Sequence, residues 1–255
     1  MTEVFAVVNQ KGGVGKTTTA VNLSAALASL GNRVLLVDCD PQGNATSGIG
    51  IDKANLERDM YDVFVDGTPF TEIIHRGVRE PTLDVAPATL HLAGAEVELY
   101  QRLDRESVLK KALRPVLKDY DYVFIDGPPS LGLLTLNILT AASRVLIPIQ
   151  CEYYALEGIS QLTEIVQRVQ SGLNLKLIVG PVVLTMHDDR INLSRQVVQE
   201  VQDYFGNVAA KTIVPRNVRL SEAPSHGLPI TQYDMKSRGA QAYVELAQEI
   251  IALGK

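Results

Sequence analysis

The chain has 255 residues, which is enough for one large domain or two small ones with a substantial buried core. Hydrophobic residues make up 46% of it and charged residues 21%, which excludes a disordered or collagen-like protein. The formal net charge of -5 argues, taken alone, against nucleic acid or an anionic membrane as a partner, and the two cysteines exclude a disulfide framework and favour the cytoplasm.

Apolar runs alternate with helical segments along the chain, which is the βαβ rhythm of a parallel sheet. Strands are predicted over 4–8, 33–38, 83–86, 122–126, 145–150, 175–185 and 209–214. Helices are predicted over about 16–30, 90–102, 105–118, 155–170, 192–205 and 239–253, and 43–81 is left unassigned. No repeat or linker divides the chain, so we predict one domain over 1–255, an α/β fold with a doubly wound, mostly parallel sheet flanked by helices.

The uncharged run over 17–32 loosely imitates a signal peptide. Polar residues interrupt this run, and its leucines fall at helical spacing, which favours a half-buried helix. We therefore expect no targeting segment.

A glycine-rich loop directly follows the first strand and opens the first helix. It consists of Lys11, Gly12, Gly13, Val14, Gly15, Lys16, Thr17 and Thr18. Such a loop can wrap its N–H groups around a phosphate, while Lys16 reaches the β- and γ-phosphates and the Thr17 hydroxyl binds Mg²⁺. Gln10 replaces a glycine of the usual pattern, and the extra Lys11 indicates a P-loop NTPase of the deviant Walker A type. The alternative is a tight strand-to-helix turn without a ligand.

Two strand ends bring carboxylates to the same edge of the predicted sheet. Asp38 and Asp40 come at the end of the second strand, and Asp126 ends the strand over 122–126. In open α/β sheets this edge binds ligands, and a carboxylate there can hold Mg²⁺ through water or orient an attacking water. Each aspartate, taken singly, is equally explained as a helix cap.

Five segments together resemble the ParA family of partitioning ATPases, most closely its chromosomal Soj branch. They are the deviant loop, DCDPQGN at 38–44, IDGPPS at 125–130, QCEYYALEG at 150–158 and PRNVRLSEAPSHG at 215–227. The resemblance covers essentially the whole chain, and its last segment is far more specific than the phosphate loop. It implies an ATPase that uses ATP and Mg²⁺ and acts as a molecular switch in chromosome or plasmid partitioning.

The resemblance also implies roles for the residues that match the catalytic motifs. Lys16 would bind the phosphates, Thr17 would bind Mg²⁺, and Asp126 would hold the metal through water. Asp40 would position the hydrolytic water and is a second candidate for a water-mediated contact with the metal. Lys11 would reach the nucleotide of a second subunit, so that two ATP molecules are sandwiched in a homodimer with Lys11, Lys16 and Asp40 as the catalytic residues.

The adenine base would lie against Asn217, with Pro215 and Val218 beside it and Met186 lining the pocket. Taken alone, Asn217 would equally be interpreted as a helix cap. The implied nucleotide-binding residues are Lys11, Gly12, Gly13, Val14, Gly15, Lys16, Thr17, Thr18, Met186, Pro215, Asn217 and Val218.

Non-specific binding of double-stranded DNA by the ATP-bound dimer is also implied, although the chain as a whole is acidic. The segment 205–238 has five basic and two acidic residues, a local charge of +3 in an acidic chain. Such a patch suffices for salt-dependent, sequence-independent affinity, whereas the alternative is an ordinary solvated surface. The best candidates for DNA contact are Arg190, Arg219, Arg216 and Lys236. With no helix-turn-helix ahead of the phosphate loop, site-specific operator binding is not expected.

The implied partners are a second copy of the chain, DNA and a centromere-binding protein of the ParB/Spo0J type that stimulates a weak intrinsic ATPase. The implied location is the cytoplasm, in association with the nucleoid.

Three other functions were weighed. A membrane-associated, septum-positioning ATPase of the same group needs a basic amphipathic tail, whereas 241–255 carries Glu245, Glu249 and one basic residue, Lys255, so no membrane partner is expected. An iron–sulfur reductase resembling the nitrogenase iron protein would use Cys39 and Cys151, which fall at strand ends where small side chains pack well. The segment 215–227 argues against the third, a metabolic P-loop ligase.

Overall fold

The computed structural model describes residues 2–153 and 159–253. Within those ranges six strands form one sheet: β1 Glu3–Val7, β2 Val34–Asp38, β3 Leu83–Ala86, β4 Tyr122–Asp126, β5 Arg144–Gln150 and β6 Ile178–Thr185. Their order is β3-β2-β4-β1-β5-β6, and all pairings between them are parallel. The predicted doubly wound α/β sheet is therefore confirmed, with strand bounds within a few residues of those expected.

Helices cover both faces of the sheet. They are α1 Lys16–Ser29, α2 Asn44–Gly48, α3 Met60–Val65, α4 Leu92–Leu99, α5 Val108–Leu113, α6 Leu133–Ala141, α7 Ile159–Gly172, α8 Asn192–Phe205, α9 Val218–Glu222, α10 Ile230–Tyr233 and α11 Arg238–Leu253. Phe5 and Val7 of β1 pack in one apolar cluster with α1 and α11, whereas Val4 and Ala6 pack in another with α3 to α8. Burial on both faces explains why the strands appear as continuous apolar runs.

The connections place a crevice at the middle of the sheet. Strands β1 and β4 are neighbours, but α1, which follows β1, and α6, which follows β4, pack on opposite faces. The register sets Asp126 opposite both Val7 and Asp38, so these residues lie at the same carboxyl edge. Ligands of open α/β sheets bind at this kind of topological switch point.

The strand predicted over 209–214 is wrong. Only its ends join the sheet, through Ala210 N–H to the Val182 carbonyl at 2.8 Å and Val214 N–H to the Leu184 carbonyl at 2.9 Å. Between them, the Glu249 carboxylate of α11 accepts the N–H groups of Lys211 and Thr212 at 2.7 and 3.1 Å, in place of a strand partner. At the other edge, His75 forms a short antiparallel bridge with Val85 of β3.

Several helices differ from the prediction. The segment 90–102 contains only α4, and 105–118 contains α5 and a 3-10 turn at Leu117–Asp119, because Pro115 lacks an N–H and disfavours helix at the residue before it. Residues 155–158 of the helix predicted over 155–170 lie outside the described residues. Helices α6, α9 and α10 were not predicted, and the unassigned region contains α2 and α3.

Among residues 2–153 and 159–253, no helix combines the length and the apolarity that crossing a bilayer requires.

Candidate functional site

The glycine-rich loop lies at the carboxyl end of β1, above the crevice. Gly13 and Gly15 have φ angles of 76° and 87°, a left-handed conformation that side-chain-bearing residues rarely adopt. Gly15 is the residue that immediately precedes α1, so the loop turns directly into the helix N-terminus. Backbone N–H groups and a helix dipole at such a turn favour an anion.

Two polar side chains hold this loop against the neighbouring strands. Asn9 donates to the Pro148 carbonyl of β5 at 2.7 Å and accepts from the Lys11 N–H at 3.0 Å. Thr185, the last residue of β6, donates its hydroxyl to the Val14 carbonyl at 2.8 Å. Neither residue was predicted to belong to the site, although Asn9 stands in the sequence just before the loop.

Lys16, the first residue of α1, has its ammonium group in the concave side of the loop. The residue is only 7% exposed, and Nζ donates to the Lys11 carbonyl at 3.2 Å. Burial lowers the pKa of this ammonium, while the carboxylates of Asp126 and Asp40 oppose the shift. Lys11 is half-buried and lies at the rim of the loop. The two carboxylates favour the charged form of Lys16, so a phosphate in the loop would meet a positive charge.

Asp126 ends β4 and is completely buried. Among the described residues neither of its carboxylate oxygens has a donor in normal hydrogen-bonding geometry, although the Thr17 hydroxyl is close enough to act on the carboxylate. Burial, reinforced by the nearby Asp38, raises the pKa of Asp126 well above its usual range, and the Thr17 hydroxyl and Lys16 partly oppose that rise. A buried unpartnered carboxylate is costly. With the adjacent hydroxyl of Thr17, it fits the oxygen ligands that Mg²⁺ takes in nucleotide sites.

Asp38 and Asp40 lie at the neighbouring strand end but have different surroundings. Asp38 is fully buried and accepts the N–H and hydroxyl of Thr46 at 2.8 and 2.7 Å and the Asp40 N–H at 3.1 Å. Burial raises the pKa of Asp38 to about 6, although the bonds from Thr46 oppose the rise. Asp40 is 7% exposed, and its Oδ1 accepts the Gln42 N–H at 2.9 Å. Asp38 thus fixes the backbone that carries Asp40, a role that the sequence analysis did not assign.

A cavity of about 330 Å³ extends from the loop towards the segment 214–224. It is lined by Gly15, Thr18, Thr185, Met186, Val214, Pro215, Arg216, Asn217, Leu220, Ser221, Pro224 and Tyr243. Met186 has a φ of 53°, a strained value for a non-glycine residue, which is frequent at binding sites. Most of the predicted base-contacting residues therefore meet in one cavity beside the loop.

Two predicted base-contacting residues need qualification. Val218 does not line the cavity and is 71% exposed. Asn217 does cap a helix, since its Oδ1 accepts the Arg219 N–H of α9 at 2.9 Å. The cap uses only the oxygen of the side chain, so the Asn217 amide nitrogen remains the atom that can donate to a base.

The residues predicted to contact DNA are all exposed and form two pairs. The backbone N–H of Arg216 donates to the His187 carbonyl at 2.8 Å, which brings Arg216 near Arg190. Both arginines lower the pKa of the Asp188 carboxyl group. Arg219 and Lys236 flank Asp234, to which Arg219 forms an ion pair at 3.6 Å and Lys236 a backbone hydrogen bond at 3.2 Å.

Comparison with known proteins places this site in a family. A family model described as an AAA domain matches residues 2–179. The chain is 58% identical over 254 residues to the sporulation initiation inhibitor protein Soj of Bacillus subtilis (strain 168), covering 100% of both chains. It is 54% identical over 252 residues to the chromosome partitioning protein ParA of Myxococcus xanthus, covering 97% of this chain and 87% of that one.

A solved structure is similar over almost the whole length. Cobyrinic acid a,c-diamide synthase from Mycobacterium smegmatis, with a bound ATP analog and magnesium, is 39% identical, with a TM-score of 0.86 and coverage of 98% of this chain and 95% of that one. The identity to Soj and ParA is higher, over 100% and 97% of this chain. The chain therefore belongs to the Soj/ParA family of chromosome-partitioning ATPases.

Proposed function

We propose that this chain, acting as a single domain over 1–255, is an ATP-dependent molecular switch in chromosome or plasmid partitioning. It is an ATPase that uses ATP and Mg²⁺. The observation that carries the proposal is the unpartnered, buried carboxylate of Asp126 beside Thr17 and the Lys16 loop. These groups would best stabilise a phosphate with a bound cation, because the cation would balance the charge of Asp126 and the phosphate would balance that of Lys16.

The residues of the chain divide the work of phosphoryl transfer. The loop N–H groups and Lys16 bind the β- and γ-phosphates, and the cavity beside Asn217 holds the base. Thr17 and Asp126 would hold Mg²⁺, which supplies positive charge against the phosphate oxygens. Asp40 orients the attacking water, and Asp38 keeps the Asp40 backbone in place. None of the described residues of the site is an obvious strong general base, so we expect intrinsic turnover to be slow until the partner completes the site.

A second copy of the chain completes the proposed site. Gly12 and Gly13 are exposed at the outer face of the loop, and Lys11 lies at its rim. Two loops meeting face to face would let Lys11 of one subunit act on the phosphates of the other, where its charge stabilises the transition state only in the dimer. ATP binding would therefore be coupled to dimerisation.

The ATP-bound dimer binds DNA without sequence preference and associates with the nucleoid in this proposal. Arg190, Arg216, Arg219 and Lys236 contact phosphates, and two such surfaces in one dimer bind better than one. A centromere-binding partner of the ParB/Spo0J type stimulates hydrolysis and so releases the dimer. The support for these steps is the family membership and the exposure of the four basic residues.

A metabolic ligase is the second candidate function, because the M. smegmatis enzyme is 39% identical and shares the fold. Fold similarity alone does not fix chemistry. The higher identity to Soj and ParA over the whole chain favours partitioning.

The deciding experiment measures binding of a mixed-sequence DNA duplex with ATP, with ADP and without nucleotide, over a series of salt concentrations. We expect tight binding only with ATP and a steep loss of affinity as salt rises. Equal affinity in the three nucleotide states would contradict the switch.

A further inference from the structure

Four arginines at or near the proposed DNA-binding surface are each paired with a carboxylate: Arg190, Arg216, Arg219 and Arg238. Arg190 binds Asp188 in a bidentate manner, with Nη2 to Oδ2 at 2.7 Å and Nε to Oδ1 at 2.9 Å. Arg216 pairs with Glu152, at the end of β5, at 3.2 Å. Both arginines lower the pKa of the Asp188 carboxyl group, Arg190 most strongly.

The same pattern continues on either side of this group. Arg238, at the start of α11, pairs with Asp189 at 3.6 Å. Arg219 pairs with Glu222 at 2.8 Å and with Asp234 at 3.6 Å. We use the name carboxylate set for Glu152, Asp188, Asp189, Glu222 and Asp234.

The carboxylate set reduces the positive charge of the surface around the arginines. Along the sequence, the segment 205–238 has an excess of positive charge. Three members of the set, Glu152, Asp188 and Asp189, lie outside that segment. The fold brings Glu152 to Arg216 and Asp189 to Arg238, whereas Asp188 pairs with Arg190, two residues along the chain. The four arginines of these pairs therefore face five carboxylates, so a phosphate that approaches one of them meets a negative charge already bound there. Lys236 forms no ion pair with the described residues and keeps its positive charge uncompensated.

These ion pairs are poorly explained as stabilisers of the fold. The side chains of Arg216 and Glu152 are 55% and 50% exposed, and exposed pairs contribute little to folding. The side chain of Arg190 is 87% exposed, although that of Asp188 is only 12% exposed and also accepts the Arg190 backbone N–H at 3.1 Å. A carboxylate and a phosphate compete for the same guanidinium face, because each accepts two parallel N–H bonds from it. A phosphate of a polyanion can therefore replace the carboxylate in each pair.

We propose that the carboxylate set competes with DNA phosphates for the arginines and thereby holds down the DNA affinity of each subunit. This inference rests on the proposed DNA-binding function. For DNA to bind, its phosphates must displace the carboxylates from the arginines. The displaced carboxylates stay close to the phosphates and repel them. One subunit then binds weakly, and tight binding needs the two surfaces of a dimer.

The test removes charge from the set while leaving the arginines intact. The variants are Asp188→Asn, Glu152→Gln and their combination in the full chain. The control is Asp121→Asn, which weakens the ion pair with Arg33 at 3.0 Å, at the amino ends of β2 and β4 rather than near the DNA surface. Its exposure matches that of the Arg216–Glu152 pair. Fluorescence anisotropy with a labelled mixed-sequence duplex and ATP gives the affinity, and thermal unfolding verifies that each variant is folded.

We expect each single variant to bind DNA about threefold more tightly than the wild type at low salt, and the double variant about tenfold more tightly. The gain should shrink as salt rises, because screening weakens the repulsion that was removed. The Asp121→Asn control should differ little from the wild type.

Three results would overturn the inference. If the folded variants gain no more than Asp121→Asn while the wild type binds DNA with ATP, the carboxylate set does not compete, and the proposed function stands. Weaker binding by Asp188→Asn would mean that the carboxylate orients the arginines for DNA. If neither the wild type nor any variant binds DNA, both the inference and the proposed DNA-binding function fail.

Discussion

At the scale of single residues, burial acts on Lys16 and Asp126 in opposite directions. It lowers the pKa of the ammonium and raises that of the carboxyl group, so it disfavours the charged form of both. A phosphate beside Lys16 and a divalent cation beside Asp126 would each supply a counter-charge. Nucleotide and metal should therefore bind as a pair and stabilise the folded protein.

Lys16→Ala removes the buried side-chain cation of this arrangement and leaves the N–H groups of the loop in place. We expect the ATP affinity to fall about 100-fold or more, because a buried charged contact is lost. Isothermal titration with ATP and Mg²⁺ measures it. Lys53→Ala is the control, since Lys53 also donates to a backbone carbonyl, that of Gln42 at 2.9 Å. ATP affinity near the wild-type value in Lys16→Ala would remove the phosphate-loop assignment.

Asp40→Ala should separate binding from hydrolysis. Because Asp40 is proposed to orient water, we expect ATP binding to persist while single-turnover hydrolysis slows about 100-fold and a DNA-bound dimer accumulates. The control is Asp52→Ala, whose carboxylate accepts an N–H two residues ahead at 3.0 Å, as that of Asp40 does at 2.9 Å, but is exposed. Normal hydrolysis by Asp40→Ala would contradict its role.

At the scale of elements, the sequence predicts best those strands that are covered by other elements on both faces of the sheet. Strands β1 to β5 are buried on both faces, so their apolar runs identify them without further information. Helix α6 was missed because its residues are apolar or polar without charge, which leaves no clear periodicity. The segment 209–214 was wrongly predicted because Glu249, far away in sequence, binds its backbone.

The site shows the same division. The loop and the three aspartates were predicted from residue types and spacing, because these motifs are local. Asn9 and Thr185 act through contacts with other strands, and no local pattern distinguishes them. The pairing of arginines with the carboxylate set likewise joins residues as far apart as Glu152 and Arg216.

Gly43, immediately before α2, tests how tightly the Asp40 segment is packed. Its φ is 61°, and a Cβ there would lie 2.5 Å from the Ala88 carbonyl oxygen. Gly43→Ala should therefore lower the free energy of unfolding by about 1–3 kcal/mol, measured by chemical denaturation. Gly31→Ala is the control, because Gly31 has a φ of 88° but no described atom within 4 Å of a Cβ. Equal losses in both variants would mean that the contact with Ala88 contributes nothing.

At the scale of the whole molecule, the proposed switch depends on two loops meeting. Gly12 is suited to a test because its φ is not in the left-handed range and no described atom would lie within 4 Å of a Cβ. A side chain at this position is therefore tolerated within one subunit. Any effect of substitution should come from the second copy.

Gly12→Val should bind ATP and unfold like the wild type but remain a monomer with ATP, as measured by multi-angle light scattering. Hydrolysis and DNA binding should fall with dimerisation, since both depend on the paired state. Gly172→Val at the end of α7 is the control, because Gly172 is also exposed and has no described neighbour within 4 Å of a Cβ. An ATP-dependent dimer of Gly12→Val would refute the loop-to-loop packing.

The two outer strands of the sheet, β3 and β6, affect how readily copies of the chain aggregate when they are close together. A bare edge strand invites another chain to add to it, which leads to aggregation. Here His75 bonds to β3, and Ala210 and Val214 bond to β6, so each edge is partly covered by a short segment of the chain itself. Under the proposed function, copies concentrated on the same DNA would then meet through their loops and separate again, instead of joining irreversibly into a continuous sheet.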